Sequence, residues 1–267
     1  MTIKLLALDL DHTLLNESRE INDKDLQAIR AARKSGVAVT IATGRMFSAA
    51  HAYAKDLEID VPIITYQGSL IKKLLSEQEL LHLRLENKVA KNAISLAHQA
   101  QVHVNVYDGD KLIVRENNAL VQRYRTVNRI DVTIDQDFVD NLTVAPTKLV
   151  FVDNNLDKLN KLQSELESQF SLKGDITRSL PHLLELGHLK ATKSKALEFM
   201  GKHLNISRSN IMAIGDGFND IDMIKWAGIG VAMGNAPLEV KRIADWVTVD
   251  NNSAGVALAI EKFILQN

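Results

Sequence analysis

The chain has no cysteine among its 267 residues. Disulfides, thiolate zinc sites, iron–sulfur clusters and thiol nucleophiles are therefore excluded, and a reducing compartment fits. Aromatic residues make up only 5%, too few for a base-stacking platform. Neither sign of charge dominates: 32 Lys and Arg against 33 Asp and Glu leave a net charge of −1. A broadly basic face is not expected, so nucleic acid is not an expected partner. No apolar run reaches the ~18 residues that a membrane helix needs. The opening stretch MTIKLLALDLD is interrupted by Lys4 and Asp9, too early for a signal-peptide core. These features point to a soluble, cytoplasmic protein with no membrane partner. What is present is ordinary globular material, 46% hydrophobic and 24% charged, in a chain about 1.8 times a ~150-residue domain. Two domains are expected, and oligomeric state is not readable.

The first block alternates strand and helix. Ile3–Leu8 reads as a buried strand ending in acid, and Asn22–Ser35 as a helix with Asn22 as N-cap and Gly36 as its stop. The β-branched run Val37–Ala42, a helix over Met46–Leu57 and a strand over Pro62–Thr65 follow. This order implies parallel pairing with right-handed crossovers.

The middle block reads differently. A hairpin over Leu70–Leu85 precedes an amphipathic helix over Glu86–Gln101. Strands at Val102–Tyr107 and Lys111–Arg115 then flank an Asp108-Gly109-Asp110 turn. A strand at Lys148–Asp153, a helix at Asn155–Phe170 and strands near Ser171–Thr177 and His182–Leu186 complete an α+β module. Alternation resumes with helix Thr192–Leu204, strand Asn210–Gly215, helix Asn219–Trp226 and strand Gly228–Ala232. A helix near Leu238–Ala244, a strand at Trp246–Val249 and a helix over Ala254–Leu265 close the chain. The expected fold class is α/β: a doubly wound, mainly parallel core from residues 1–84 and 187–267, with an α+β domain, residues 85–186, inserted as a lid.

The acidic residues sit where strands end. Asp9 and Asp11 are two apart after the first strand, a spacing that points both carboxylates to one side while the chain stays extended. Asp216 and Asp220, in GDGFND, follow the strand ending at Gly215. If those strands are neighbours, four carboxylates converge at the sheet edge, where open α/β folds bind ligands. They cannot all stay ionised without a cation, and an oxygen-only, cysteine-free set favours Mg²⁺. Thr43-Gly44-Arg45 ends the second strand before a helix, a place for an oxyanion. Lys193 opens a later helix between Lys190 and Lys195. The run Gly228–Gly234 only approaches a dinucleotide fingerprint, since its third glycine falls one residue late.

In order along the chain, DLDHTLL (Asp9–Leu15), ATGR (Ala42–Arg45), KSKAL (Lys193–Leu197) and GDGFNDIDM (Gly215–Met223) strongly resemble the haloacid dehalogenase superfamily of phosphatases. The resemblance is to its Cof-type branch with a type II cap, and it spans nearly the whole chain. It implies a Mg²⁺-dependent phosphatase acting on small phosphomonoesters, sugar phosphates or related metabolites, through an aspartyl-phosphate. Asp9 would be the nucleophile and Asp11 the general acid and base. Asp9, the main-chain carbonyl of Asp11 and Asp216 would hold the metal, with Asp220 orienting ligands behind them. Leu10, Thr43, Gly44, Lys193 and Asn219 would bind the phosphoryl oxygens, with Lys190 as the fallback for Lys193.

Three departures stand out. His12 replaces a usual glycine, Ser194 follows the motif lysine in place of glycine, and Gln67-Gly68-Ser69 stands where Asn-Gly-Ala is common. Two other readings stay open. One is a phosphotransferase or phosphomutase using the same intermediate. The other is a phospho-ligand sensor whose catalysis His12 has impaired.

Overall fold

A computed structural model describes residues 2–128 and 130–266; Met1, Arg129 and Asn267, which the expected domains include, lie outside the described residues. The chain divides into two compact units. The first comprises Met1–Arg45, Ala50–Leu81 and Thr192–Asn267, and the second Met46–Ala49 and His82–Ala191. No helix among the described residues is long and apolar enough to cross a membrane.

The first unit is built on the strand Leu5–Leu8, whose four residues are all buried. A strand covered on both faces needs such an unbroken apolar run. It pairs in parallel with Ala38–Ile41 on one side and Ile211–Gly215 on the other. Ile229–Ala232 and Trp246–Val247 extend the sheet beyond Ile211–Gly215, also in parallel. One neighbour of the first strand thus comes from the next thirty-odd residues and the other from far along the chain. Connections diverge at this point, which places a crevice at the carboxyl ends of Leu5–Leu8 and Ile211–Gly215. Ala7, Ala213, Leu197, Met200 and Met223 belong to one fully buried core cluster.

Local signals explain the helix ends. The Asn22 side chain accepts from the Lys24 amide and caps Asp23–Lys34, and Gly36 follows the helix at φ 89°. Such a cap contributes about 1 kcal/mol. The strand Ile63–Thr65 differs from the expectation of simple parallel addition. It touches the core sheet through one parallel bridge, Ala42 to Ile64, and hydrogen-bonds instead to Leu70–Lys72 in a three-stranded sheet completed by Glu79–His82. The expected helix at Asn219–Trp226 begins as a 3₁₀ turn, Phe218–Asp220, and becomes α-helical over Ile221–Trp226. The last helix is α-helical over Gly255–Ile260 and π-helical over Glu261–Leu265.

The second unit holds a six-stranded sheet in the order Gly174–Leu180, Leu183–His188, Lys148–Val152, His103–Asp108, Lys111–Val114, Val132–Ile134. Its pairs are antiparallel except the last. The helices Asn87–Gln99, Gln136–Asn141 and Leu156–Phe170 share its apolar core. Helix Ala119–Asn128, strand Val132–Ile134 and helix Gln136–Asn141 have no counterpart in the sequence reading.

Candidate active site

The crevice forms where two strands end side by side. The Asp9 amide donates to the Ile214 carbonyl at 3.0 Å, carrying the parallel ladder one residue past Leu8. Asp9 is buried, and Asp216 directly follows the neighbouring strand. Lys193 is the first residue of helix Lys193–His203, whose N-cap Thr192 accepts from the Lys195 amide. The Lys193 side chain is fully buried, with Nζ 2.5 Å from Asp9 Oδ1 and 2.5 Å from Asp220 Oδ1. Its neighbours Lys190 and Lys195 are exposed.

Asp220 is tied down completely. While Oδ1 accepts from Lys193, Oδ2 accepts from the Asp216 and Gly217 amides at 3.0 and 2.8 Å. The fully buried Thr13 donates its hydroxyl to Asp216 Oδ1 at 2.8 Å. One carboxylate oxygen from each of Asp9, Asp216 and Asp220 lies within 4.8 Å of the other two.

The electrostatics follow from burial. Burial, then the charge of Asp220, pushes the Asp9 carboxyl well above its ordinary range, against the pull of Lys193. Burial also lifts Asp216 to about 6, although the Thr13 bond opposes it. Burial disfavours the Lys193 ammonium, but Asp220 and Asp9 more than reverse this and hold it protonated. Three carboxylates thus share one ammonium, and burial first, with the charge of Asp220 added to it, keeps Asp9 and Asp216 reluctant to ionise. A divalent cation among them would ease that reluctance. An all-oxygen donor set without sulfur or imidazole suits a hard cation, so these residues fit one.

Asp11 does not join the other three. The alternation that would align it with Asp9 requires extended chain, and here the chain turns: the Leu10 carbonyl accepts from the amides of Thr13, Leu14 and Leu15. Asp11 is exposed, and its carboxylate is taken up by Arg45 through Nε at 2.8 Å and Nη2 at 2.5 Å. Burial raises the Asp11 carboxyl, and the two Arg45 bonds and charge outweigh it, so the net displacement is downward. The Arg45 guanidinium also lies over the Tyr53 ring, 5.1 Å from its centroid.

The remaining candidates lie close by. Thr43 is buried, and its hydroxyl oxygen accepts from the Arg45 amide at 3.2 Å, leaving its own hydrogen available to donate. Asn219 is exposed and donates to Gln67 Oε1 at 3.2 Å. Leu10 has a fully buried side chain, so only its backbone can serve a ligand. His12 is exposed and takes the left-handed backbone that a glycine adopts readily, with φ 60°. Its carbonyl accepts from Asn235 Nδ2 at 2.8 Å; Asn235 Oδ1 accepts from the Asn251 amide, and Asn251 Nδ2 donates to the Leu15 carbonyl. The glycine run Gly228–Gly234 contributes the core strand Ile229–Ala232 rather than a turn opening a helix.

Thr13, Arg45, Asn235 and Asn251 are supports that sequence reasoning did not assign. Thr13 and Arg45 stood inside the quoted motifs, yet no spacing rule says which acid each one grips. The two asparagines lie in the stretches GVAMGNAPLEVK and WVTVDNNSAGVA, which also resemble the family, but nothing local shows what their side chains reach.

Sequence comparison matches a family profile described as haloacid dehalogenase-like hydrolase over residues 6–260. The chain is similar to a 5-amino-6-(5-phospho-D-ribitylamino)uracil phosphatase of Bacillus subtilis, 35% identical over 268 residues covering 98% of this chain and 96% of that protein. It is also 29% identical, over 281 residues, to another phosphatase of the same organism, covering 96% of this chain and 98% of that one. Among solved structures, a haloacid dehalogenase-like hydrolase from Bacteroides thetaiotaomicron aligns with a TM-score of 0.90 at 32% identity, covering 98% and 99% of the two chains.

Proposed function

The chain belongs to the haloacid dehalogenase-like hydrolases, and on that premise we propose that it is a Mg²⁺-dependent phosphatase of small phosphomonoesters, working through an aspartyl-phosphate on Asp9. The observation that carries this reading is the buried Lys193 ammonium between Asp9 and Asp220, with the Asp216 carboxylate beside them. A carboxylate nucleophile needs no base, only relief of repulsion against an anionic ester. Asp9 and Asp216 with the Asp11 carbonyl would hold the cation, which would supply charge neutralisation for nucleophile and phosphoryl group alike. Asp220 serves behind them, fixing Lys193 and the turn at Asp216–Gly217.

Hydrolysis then runs in two steps. An Asp9 carboxylate oxygen bonds to phosphorus as the ester P–O bond breaks, and Asp11 delivers a proton to the departing alcohol. Asp11, now a carboxylate, takes a proton from water, whose oxygen bonds to phosphorus and frees Asp9 and orthophosphate. The Arg45 pairing favours the ionised form that the second step uses, so Asp11 must leave Arg45 to carry its proton in the first. Lys193, the Thr43 hydroxyl, the Leu10 and Gly44 amides and Asn219 are assigned to the phosphoryl oxygens, where fixed donors contribute most of the rate.

The similar uracil-derivative phosphatase is named for a phosphate ester on a polyol chain, which supports a small sugar-phosphate-like substrate. In this reading the reaction type belongs to residues 1–84 and 187–267, and substrate choice to residues 85–186. The cysteine-free composition keeps the cytoplasm as the expected compartment. The test is phosphate release from a panel of phosphorylated metabolites by the purified chain with Mg²⁺. Release from at least one small ester, abolished by chelation, is expected. Transfer to added sugars in preference to water would make it a phosphotransferase. Binding of sugar phosphates without release would make it a sensor and end the phosphatase reading.

A further inference from the structure

Tyr66, Gln67 and Gly68 all have positive φ, at 53°, 56° and 102°. Two of the three carry side chains, so the segment sits in backbone that L-residues avoid. It is held there from two sides. Tyr66 donates its amide to the Arg45 carbonyl and Gln67 donates its amide to the Thr43 carbonyl, each at 3.0 Å. On the other side, a Cβ built on Gly68 would lie 2.3 Å from the Thr192 carbonyl oxygen, so only glycine admits this approach to the cap of the Lys193 helix.

Gln67 then reaches a third segment. Its Oε1 accepts from Asn219 Nδ2 at 3.2 Å, and its carboxamide lies against Gly44, where a Cβ would stand 2.4 Å from Gln67 Nε2. One short loop therefore touches three of the stretches assigned to the phosphoryl group: Thr43–Gly44, the start of the Lys193 helix, and Asn219. A single hydrogen bond between two carboxamides uses one of their four N–H groups, leaving three donors. Gln67 is half-buried and Asn219 exposed, so a ligand can reach those donors.

We propose that Gln67 is a phosphoryl-binding residue of this site, donating from its carboxamide to a phosphoryl oxygen while its own oxygen aims the Asn219 amide. The proposal rests on the phosphatase reading above. Strained backbone persists only where surrounding structure over-determines it, and here that structure is the site itself.

A binding role and a packing role rank substitutions differently. Gln67→Glu keeps the size, the shape and an oxygen for Asn219, but exchanges the donors for negative charge. Gln67→Ala removes everything beyond Cβ at unchanged charge. The experiment measures the inhibition constant of orthophosphate against p-nitrophenyl phosphate hydrolysis, together with the rise in Tm that orthophosphate causes. Binding predicts a constant weakened about tenfold in Gln67→Ala, the range for one lost neutral donor, and about a hundredfold or more in Gln67→Glu, where a like charge is added. Both variants should keep the ligand-free Tm. Gln67→Asn, a residue that tolerates left-handed backbone, covers failure of Gln67→Ala to fold and should weaken binding several-fold. Wild-type-like affinity in Gln67→Glu, or equal affinity in all variants, overturns the assignment and leaves the phosphatase reading intact. A wild-type protein that neither hydrolyses the ester nor binds orthophosphate overturns the phosphatase reading and this one with it.

Discussion

Arg45 grips both carboxylate oxygens of Asp11, with Nε on Oδ2 and Nη2 on Oδ1, while its guanidinium rests over Tyr53. The fork fixes where the assigned acid and base waits between turnovers, and lysine cannot reproduce it. Arg45→Ala is expected to lower kcat by roughly 10²-fold, the size of a misplacement effect, with Arg45→Lys about tenfold impaired and KM little changed in either. Steady-state kinetics on p-nitrophenyl phosphate checks this. A kcat within a factor of two of wild type in Arg45→Ala would remove Arg45 from the account.

Lys193 is the sole cation bonded to Asp9 and Asp220 among the described residues. Lys193→Met keeps most of the buried volume and leaves those carboxylates uncompensated. Loss of one partner from a buried ion pair costs about 3–5 kcal/mol. Denaturant unfolding of the metal-free protein should show a loss of that order, together with activity reduced by at least ~10³-fold. Unchanged stability would mean that the carboxylates are protonated in the resting protein.

Metal removal should act on stability as well as turnover. Chelation is expected to abolish phosphate release and Mg²⁺ to restore it. A cation held there would relieve repulsion among Asp9, Asp216 and Asp220, so saturating Mg²⁺ should also raise Tm, by a stabilisation of about 2.7 kcal/mol at a hundredfold excess over Kd. Asp216→Asn should lose most of that rise. An equal rise in wild type and variant would place the ion elsewhere.

Asp25 provides a pH dependence remote from the site. It lies buried in the first helix, and its Oδ1 accepts from the Ala257 amide at 2.7 Å near the start of the last α-helix. Oδ2 is buried with no partner among the described residues. Burial lifts its pKa from 3.8 to about 6, against the Ala257 bond. The folded state therefore binds the proton more tightly than the unfolded chain. The resulting stabilisation is complete below about pH 4 and disappears as pH rises through about 6, an effect of about 3 kcal/mol. Wild type should lose stability relative to Asp25→Asn across that window in chemical denaturation. Parallel pH profiles for the two proteins would contradict it.

The sequence made legible what local chemistry determines. Leu5–Leu8 is apolar throughout and ends in Asp9, Asn22 and Thr192 announce helix starts, and each acidic or basic motif sits at the end of a strand or the start of a helix. Helix Ala119–Asn128 has Leu120, Val121 and Tyr124 at helical spacing, but it is only ten residues long and its apolar positions alternate with Gln122, Arg123 and Arg125, too short a pattern to read as an element. The convergence of Asp11 with Asp9 failed because the chain turns at Leu10. Gln67 stood out only as a departure from a familiar triplet. Its reach to Asn219, 152 positions away, is a product of tertiary packing that no periodicity encodes.

Asp9 is assigned the attack on phosphorus. Asp9→Asn preserves the size of the side chain and its proximity to Lys193 while removing the nucleophilic carboxylate. The direct measurement is Mg²⁺-dependent turnover of p-nitrophenyl phosphate by a folded Asp9→Asn protein whose Tm matches wild type. The account predicts a fall in kcat of about 10⁴-fold or more. A variant that retains a tenth of wild-type turnover would contradict it.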